Sequence, residues 1–293
     1  MNKAPVPPPR RRGRVRRTPV LLLCVAVFLA ADLVVSNTVL ELGAYTLAHA
    51  RLPAAFDGFR IVHLSDWHAA EFGPENRDLV EMTRRQTPDI IVLTGDFIQR
   101  PKELPLMEAL CRDLVAIAPV YYVTGNHEWA GRIVDQLRPV LRETGIVYLD
   151  NDYLFLSRGG EQICLVGLMD PNGPRTQLTV SEVTALARRS GDPFLVMLSH
   201  RYDRFSDYVA QRVDVVFTGH AHGGVIRLPF TDGLVGPGRV LFPQHTSGVT
   251  WEGTTAMVTS RGLGGVGGWP VRLFNRPEVV SVTLTRPKGP ESP

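Results

Sequence analysis

The chain has 293 residues, 44% apolar and 21% charged, which suits one large globular domain with appendages. Three cysteines (Cys24, Cys111 and Cys164), none in a Cys-x-x-Cys pair, exclude a disulfide framework and a thiolate zinc site. The formal charge of +3 comes from the amino terminus. There Lys3, Arg10, Arg11, Arg12, Arg14, Arg16 and Arg17 occur without an acid, and removing those seven leaves 25 basic against 29 acidic residues. A mildly acidic body does not indicate a basic surface for nucleic acid.

Residues 1–18 read as a basic, Pro-rich cytoplasmic tail. Residues 19–36, "PVLLLCVAVFLAADLVVS", are apolar except for Asp32. Extended toward Leu42, they reach the ~20 residues that a membrane-spanning helix needs. The arginines before them predict a cytoplasmic amino terminus and a body on the outer face of the cell membrane. A retained signal anchor is favoured over two export signals. A cleavage site at "AHA" (48–50) lies far past the apolar core, and Pro19 disfavours a twin-arginine signal. Flanking charge argues against a buried core helix. Residues 37–56 read as a linker with some helix, 57–285 as the body, and 286–293 as a disordered tail.

The body alternates strands and helices. "FRIVHL" (59–64) is a strand, 76–86 a helix, "DIIVL" (89–93) a strand, 103–118 a helix, "VYYV" (120–123) a strand and 132–143 a helix. Short strands follow at 146–149, 153–156 and 163–167, then a helix at 180–189 and a strand "FLVML" (194–198). A helix within 204–211 precedes the strand "VDVVF" (213–217), and further strands are expected at 225–228, 240–242, 256–259 and 279–284. Continuous apolar strands separated by helices predict α/β sheets covered on both faces.

In such sheets functional groups gather beyond the carboxyl ends of strands. Five ends deliver oxygen or nitrogen ligand types: Asp66 and His68 in "SDWH", Asp96 in "TGD", Asn126 and His127 in "TGNHE", His200 in "SH", and His220 and His222 in "TGHAH". A single aspartate after a strand is ordinarily a turn or helix cap. Five such ends in one chain are not ordinary. Mixed carboxylate, amide and imidazole suit Mn²⁺, Fe or Zn²⁺ rather than a structural zinc site.

The five motifs, D-x-H, G-D, G-N-H-E, a lone His after a strand and G-H-x-H, resemble those of the calcineurin-like metallophosphoesterases, and do so from about Phe59 to Leu284. The apolar amino-terminal helix and "RLFNRPEV" (272–279) resemble the bacterial membrane-associated branch. The resemblance implies a four-layer α-β-β-α sandwich of two mixed sheets after one transmembrane helix. It implies two divalent ions. Asp66, His68, Asp96 and His222 would hold one, and Asp96, Asn126, His200 and His220 the other, with Asp96 bridging. One carboxylate can span two ions ~3.5–4 Å apart. The implied reaction is in-line attack of a metal-bridging hydroxide on a phosphodiester or pyrophosphate. In it, His127 is the catalytic residue facing the phosphate and leaving oxygen, Glu128 orients it, and Asn126, His127 and Arg261 bind substrate. "SHRYD" (199–203) departs from the family's more usual His-Asn/Asp-Pro, which puts the shape of that loop in doubt but not His200. The glycines around His220 and His222 are expected to make room for metals and a phosphate.

Two decoys fail. His127-Glu128-Trp129-Ala130-Gly131 lacks the second histidine of a zinc protease. Gly262, Gly264 and Gly267 fit G-x-G-x-x-G, but "GWPVRLF" after them reads as extended, so the helix of a dinucleotide site is missing. A membrane-anchored protein with a non-catalytic metal array is the rival reading, and a phosphomonoesterase or protein phosphatase the rival within enzymes. The anchor invites a lipid-linked substrate. Trp67, Phe72, Trp129, Trp251 and Trp269 would form either a lipid-facing wall or ordinary core.

Overall fold

The computed structural model of the protein describes residues 17–228, 231–265 and 272–287. Most of the basic tail (1–16), residues 288–293 of the expected disordered tail, Gly267 and Trp269 lie outside the described residues. In chain order the elements are α1 (Arg17–Thr38), β1 (Glu41–Ala48), β2 (Phe59–Leu64), α2 (Arg77–Arg85), β3 (Ile90–Thr94), α3 (Leu104–Val115), β4 (Val120–Val123), α4 (Asn126–Ala130), α5 (Val134–Thr144) and β5 (Val147–Tyr148). The second half comprises β6 (Asp152–Arg158), β7 (Glu161–Gly167), α6 (Val180–Ala187), β8 (Phe194–Arg201), α7 (Phe205–Ala210), β9 (Val215–Gly219), β10 (Gly248–Glu252), β11 (Thr255–Thr259) and β12 (Glu278–Thr285).

Two six-stranded mixed sheets result, ordered β1-β12-β2-β3-β4-β5 and β10-β11-β9-β8-β7-β6. Strands β2 to β5 run parallel, as do β7, β8, β9 and β11, while β12 is antiparallel to β2. Alternate residues of each strand serve different cores. Ile61, Val92 and Val123 meet Val196, Phe217 and Val258 between the sheets. Val62, Ile91 and Tyr122 face outward onto Leu79, Leu110, Leu114, Leu137 and Leu141 of α2, α3 and α5. On the other side Cys164, Met197 and Val216 pack under α6 and α7. Covering both faces explains the unbroken apolar runs, and each fully buried Val, Leu or Ile contributes about 1.5–3 kcal/mol. The four layers are those of the calcineurin-like sandwich.

Three expectations are corrected. The 37–56 linker contains β1, paired parallel with β12 in the register Glu41↔Glu278 to Ala48↔Thr285. It is an edge strand with mostly half-exposed side chains, and its partner lies more than 230 residues away, so the local pattern was weak. Residues 225–228 and 240–242 form only the isolated bridges Ile226↔Leu273 and Val235↔Leu241, because no long partner runs beside them. The strand β10 was not foreseen. It pairs with β11 across the turn at Gly253.

Helix α1 carries an apolar stretch, Pro19–Thr38, long enough to cross a membrane, with mean hydropathy 2.5. It meets the body through Phe28, Asp32, Ser36 and Asn37. Asp32 Oδ2 accepts the Phe274 N–H at 2.8 Å, and Asn37 exchanges two hydrogen bonds of 3.0 Å with the Arg272 backbone.

Candidate metal centre

The carboxyl ends of β2, β3 and β4 in one sheet and of β8 and β9 in the other converge at one rim. The loop after β2 is laid along the loop after β3: the Asp66 and His68 N–H groups donate to the carbonyls of Gly95 and Asp96 at 3.0 Å. Asp66, His68, Asp96, His220 and His222 all have positive φ, between 48° and 64°. Such left-handed backbone costs of order 1–3 kcal/mol at a non-glycine residue and persists only where surrounding structure enforces it. Here it turns five side chains inward at once.

Ligand atoms of Asp66, His68, Asp96 and His222 lie within 4.8 Å of one another, and so do those of Asp96, His200 and His220. Asp96 belongs to both groups. Asn126 joins the second, with Oδ1 3.2 Å from His200 Nε2. The structure therefore brings together all seven side chains expected from the sequence.

The residues fit a pair of cations. His200 Nδ1 donates to the Thr94 carbonyl at 2.7 Å. That bond turns Nε2 toward Asp96 Oδ2 at 3.1 Å, Asn126 Oδ1 at 3.2 Å and His220 Nδ1 at 3.2 Å. In the other group His68 Nε2 and His222 Nε2 face each other at 3.4 Å, and Asp66 Oδ1 is 3.2 Å from His222 Nε2. Asp96 Oδ1 accepts the His127 N–H, and buried Oδ2 faces His200 Nε2 at 3.1 Å and His127 Nε2 at 3.8 Å. Lone pairs that converge without enough protons call for positive charge. Two ligand atoms each ~2.1 Å from one ion stand about 3 Å apart, close to these separations.

Burial keeps three of the four clustered imidazoles neutral. Burial pushes His68 down to about 4 and His222 well below its usual range, and burial with the neighbouring His200 takes His220 to about 2. These imidazoles are thus neutral and available as donors. Burial opposes charge at His200, yet Asp96 beside it pushes the imidazole up to about 10. Burial raises Asp66 to about 6. Asp96 is held well below the carboxylate range, because His200, His68 and His127 outweigh its burial.

His127 sits at this rim with its ring edge-on to His68, centroids 4.8 Å apart, and Nε2 3.8 Å from Asp96 Oδ2. Its Nδ1 is 2.8 Å from Gln99 Oε1. Glu128, expected to orient His127, does something else. It is fully buried and accepts the backbone N–H groups of Asp96, Phe97, Ile98 and Gly125, so it shapes the Asp96 loop. Gln99 holds the ring instead. It carried no sequence signal because a lone glutamine three residues past a G-D motif looks like any surface residue.

Arg261, expected to bind substrate, lies beside the cluster rather than in it. Its guanidinium is paired with Glu278 at 3.3 Å and Glu41 at 3.2 Å, on the β1–β12 edge, and not with any residue of the cluster. In "SHRYD", β8 continues through Arg201 with a bulge between Leu198 and Arg201. Buried Asp170 forks the Arg201 guanidinium, which reaches His220 Nε2 at 2.8 Å. The glycine beside His220 makes room for a neighbouring loop rather than for an ion: a Cβ on Gly219 would stand 2.4 Å from Asp66 Oδ2. The described aromatic residues form no wall. Trp67 and Phe72 are buried, Trp129 binds Thr124 Oγ1, and Trp251 stacks on His49.

A two-sheet sandwich gathering two Asp/Asn/His clusters around a shared carboxylate defines a metal-dependent phosphoesterase. The family model for calcineurin-like phosphoesterases matches residues 59–224, and the chain belongs to that family. It is 31% identical to the uncharacterized metallophosphoesterase YkuE of Bacillus subtilis, covering 84% of this chain and 85% of the relative. YkoQ of the same organism, also an uncharacterized metallophosphoesterase, is 29% identical over 75% of this chain and 81% of its own. Phosphodiesterase YaeI of Escherichia coli is 27% identical over 77% of this chain and 82% of its own.

Proposed function

We propose that this chain hydrolyses a phosphodiester or pyrophosphate, with Asp66, His68, Asp96 and His222 holding one divalent ion and Asp96, Asn126, His200 and His220 the other. The observation that carries this reading is Asp96, which belongs to both donor groups, with His127 beside it. When bound, two divalent ions supply Lewis acidity and activate water at neutral pH. The chain's residues do the rest. Thr94 fixes the His200 ring through Nδ1. Gln99 fixes the His127 ring and turns Nε2 inward, where it can give a proton to the leaving oxygen, a role worth about 10²–10⁴ in rate. Asn126 points its carbonyl at His200 and keeps its NH₂ for a phosphoryl oxygen.

The diester reading draws support from the relative named a phosphodiesterase. Manganese, iron and zinc all suit the donor set. Helix α1 supports a membrane anchor and a lipid-linked substrate. The test measures metal content and turnover of a generic aryl phosphodiester by the full chain, its Asp96→Asn form and its His127→Ala form. Metal bound with no turnover of any phosphoester would favour the non-catalytic reading.

A further inference from the structure

Helix α1 is long enough to cross a membrane only if its last turns, which the body holds, are in lipid too. Its polar face starts at Asp32, where the body takes hold: Asp32 Oδ2 binds the Phe274 N–H, Ser36 Oγ accepts the Asn275 N–H at 3.2 Å, and Phe28 packs against Phe274 at 5.9 Å. The stretch free of polar contact, residues 19–31, is ~20 Å long at ~1.5 Å per residue. The hydrocarbon core to be crossed is about 30 Å. If the whole apolar stretch is in lipid, the part of the body held against Asp32–Asn37 is in lipid too.

That part of the body has the surface for it. From Leu273 a small ribbon extends sideways through backbone bonds: Arg227 N–H to Leu273 carbonyl (3.0 Å), Leu234 N–H to Ile226 carbonyl (2.8 Å) and Phe242 N–H to Leu234 carbonyl (3.0 Å). Three steps of ~4.8 Å keep its far edge within about 15 Å of Leu273. The ribbon exposes Leu228 on its near segment and Val240, Leu241 and Phe242 on its far edge, the last two 67% and 72% accessible. Together with α1 they hold most of the exposed large apolar side chains among the described residues. A soluble surface rarely groups such residues without a partner.

We propose that this ribbon and the Arg272–Asn275 turn form a membrane-immersed rim, sunk in the leaflet nearest the body, so that the metal centre opens at the lipid headgroup level. The same turn reaches the site. Asn275 Nδ2 donates to the carbonyls of His222 (2.7 Å) and Val225 (3.2 Å), and the buried Arg272 guanidinium binds the carbonyls of Gly262 (3.2 Å) and Gly264 (2.6 Å). A phosphoester carried on a lipid then meets the site without leaving the bilayer. The polar residues of α1 are explained as well, since Asp32, Ser36 and Asn37 are satisfied by protein rather than left to lipid.

The inference rests on α1 being a membrane anchor, and the experiment separates the two. The full chain is placed in phosphatidylethanolamine–phosphatidylglycerol nanodiscs and labelled with an environment-sensitive fluorophore at one cysteine at a time. The sites are native Cys24 in α1, Phe242→Cys or Val240→Cys in a Cys24→Ala background, and Glu143→Cys on α5 as the aqueous control. Cys111 and Cys164 are buried and silent. Nitroxide-bearing lipids are expected to quench positions 24, 242 and 240 alike and to leave 143 bright. Quenching at 24 with positions 240 and 242 as bright as 143 overturns the immersed rim and leaves the anchor standing. A bright label at 24 overturns both.

Discussion

The Nδ1 of His200 donates to the carbonyl of Thr94, and that one bond aims the other ring nitrogen at Asp96, Asn126 and His220. The carbonyl belongs to the last residue of β3, in the opposite sheet. A backbone group of one sheet thus orients an imidazole from the other, and mutation of side chains alone cannot remove it. Outer-shell bonds of this kind fix both tautomer and direction in metal sites.

The shared position of Asp96 sets the first prediction. Asp96→Asn should lose both ions, whereas His222→Ala should lose one and keep the other. Elemental analysis of the purified variants reads this directly. Equal stoichiometry in the two variants would deny that one carboxylate spans both sites.

His127→Ala should keep its metal and lose about 10²–10⁴ in kcat, the usual scale for a positioned acid. Gln99→Leu should lose less and alter the pH profile of kcat, because the ring stays but its orienting partner is gone. A Gln99→Leu enzyme with an unchanged profile would show that Gln99 does not act through His127.

His63 predicts an acid weakness unconnected to catalysis. It lies between the sheets, edge-on to Phe217, its Nε2 2.7 Å from Thr94 Oγ1 and its Nδ1 without a partner. Burial pushes its pKa down from 6.5 to about 3. The folded state therefore binds fewer protons than the unfolded one between these values, and stability falls as pH drops from about 6.5 toward 3. The slope from this one group approaches about 1.4 kcal/mol per pH unit. His63→Leu should flatten that part of the denaturation profile, as measured by urea midpoints from pH 7 to 4. An unaltered slope would mean that His63 is not kept neutral.

Gly95→Ala should be costly far beyond its size. Gly95 has φ +83°, and an added Cβ would lie 2.2 Å from the Gly125 backbone nitrogen. Overpacking typically costs about 1–3 kcal/mol, and the left-handed backbone adds to it. The two loops that must separate carry Asp96 and Asn126. Melting temperature and metal affinity should fall together. Loss of one without the other would uncouple the loops from the site.

Much of the active rim was legible along the chain. Each of the five ligand-bearing ends follows a strand recognisable from its apolar run, and residue types such as Asp, Asn and His in that position have few other reasons to recur. Strands buried on both faces advertise themselves locally, as 59–64 and 120–123 did to the residue. The edge strands β1 and β10 lack such runs and were hidden, whereas the edges β5 and β6 fell at the short strands expected at 146–149 and 153–156.

The order of residues settles the chemistry available: which donors exist, on which strand ends, and that an apolar helix precedes them. The tertiary structure alone decided how those groups are used. It set Gln99 rather than Glu128 against His127, gave Arg261 to Glu278 and Glu41, and tied α1 through Asn275 to the His222 loop. These are contacts between side chains and backbone far apart in the chain. Their energies depend on distance and direction, and neither is written in the local pattern of polar and apolar residues.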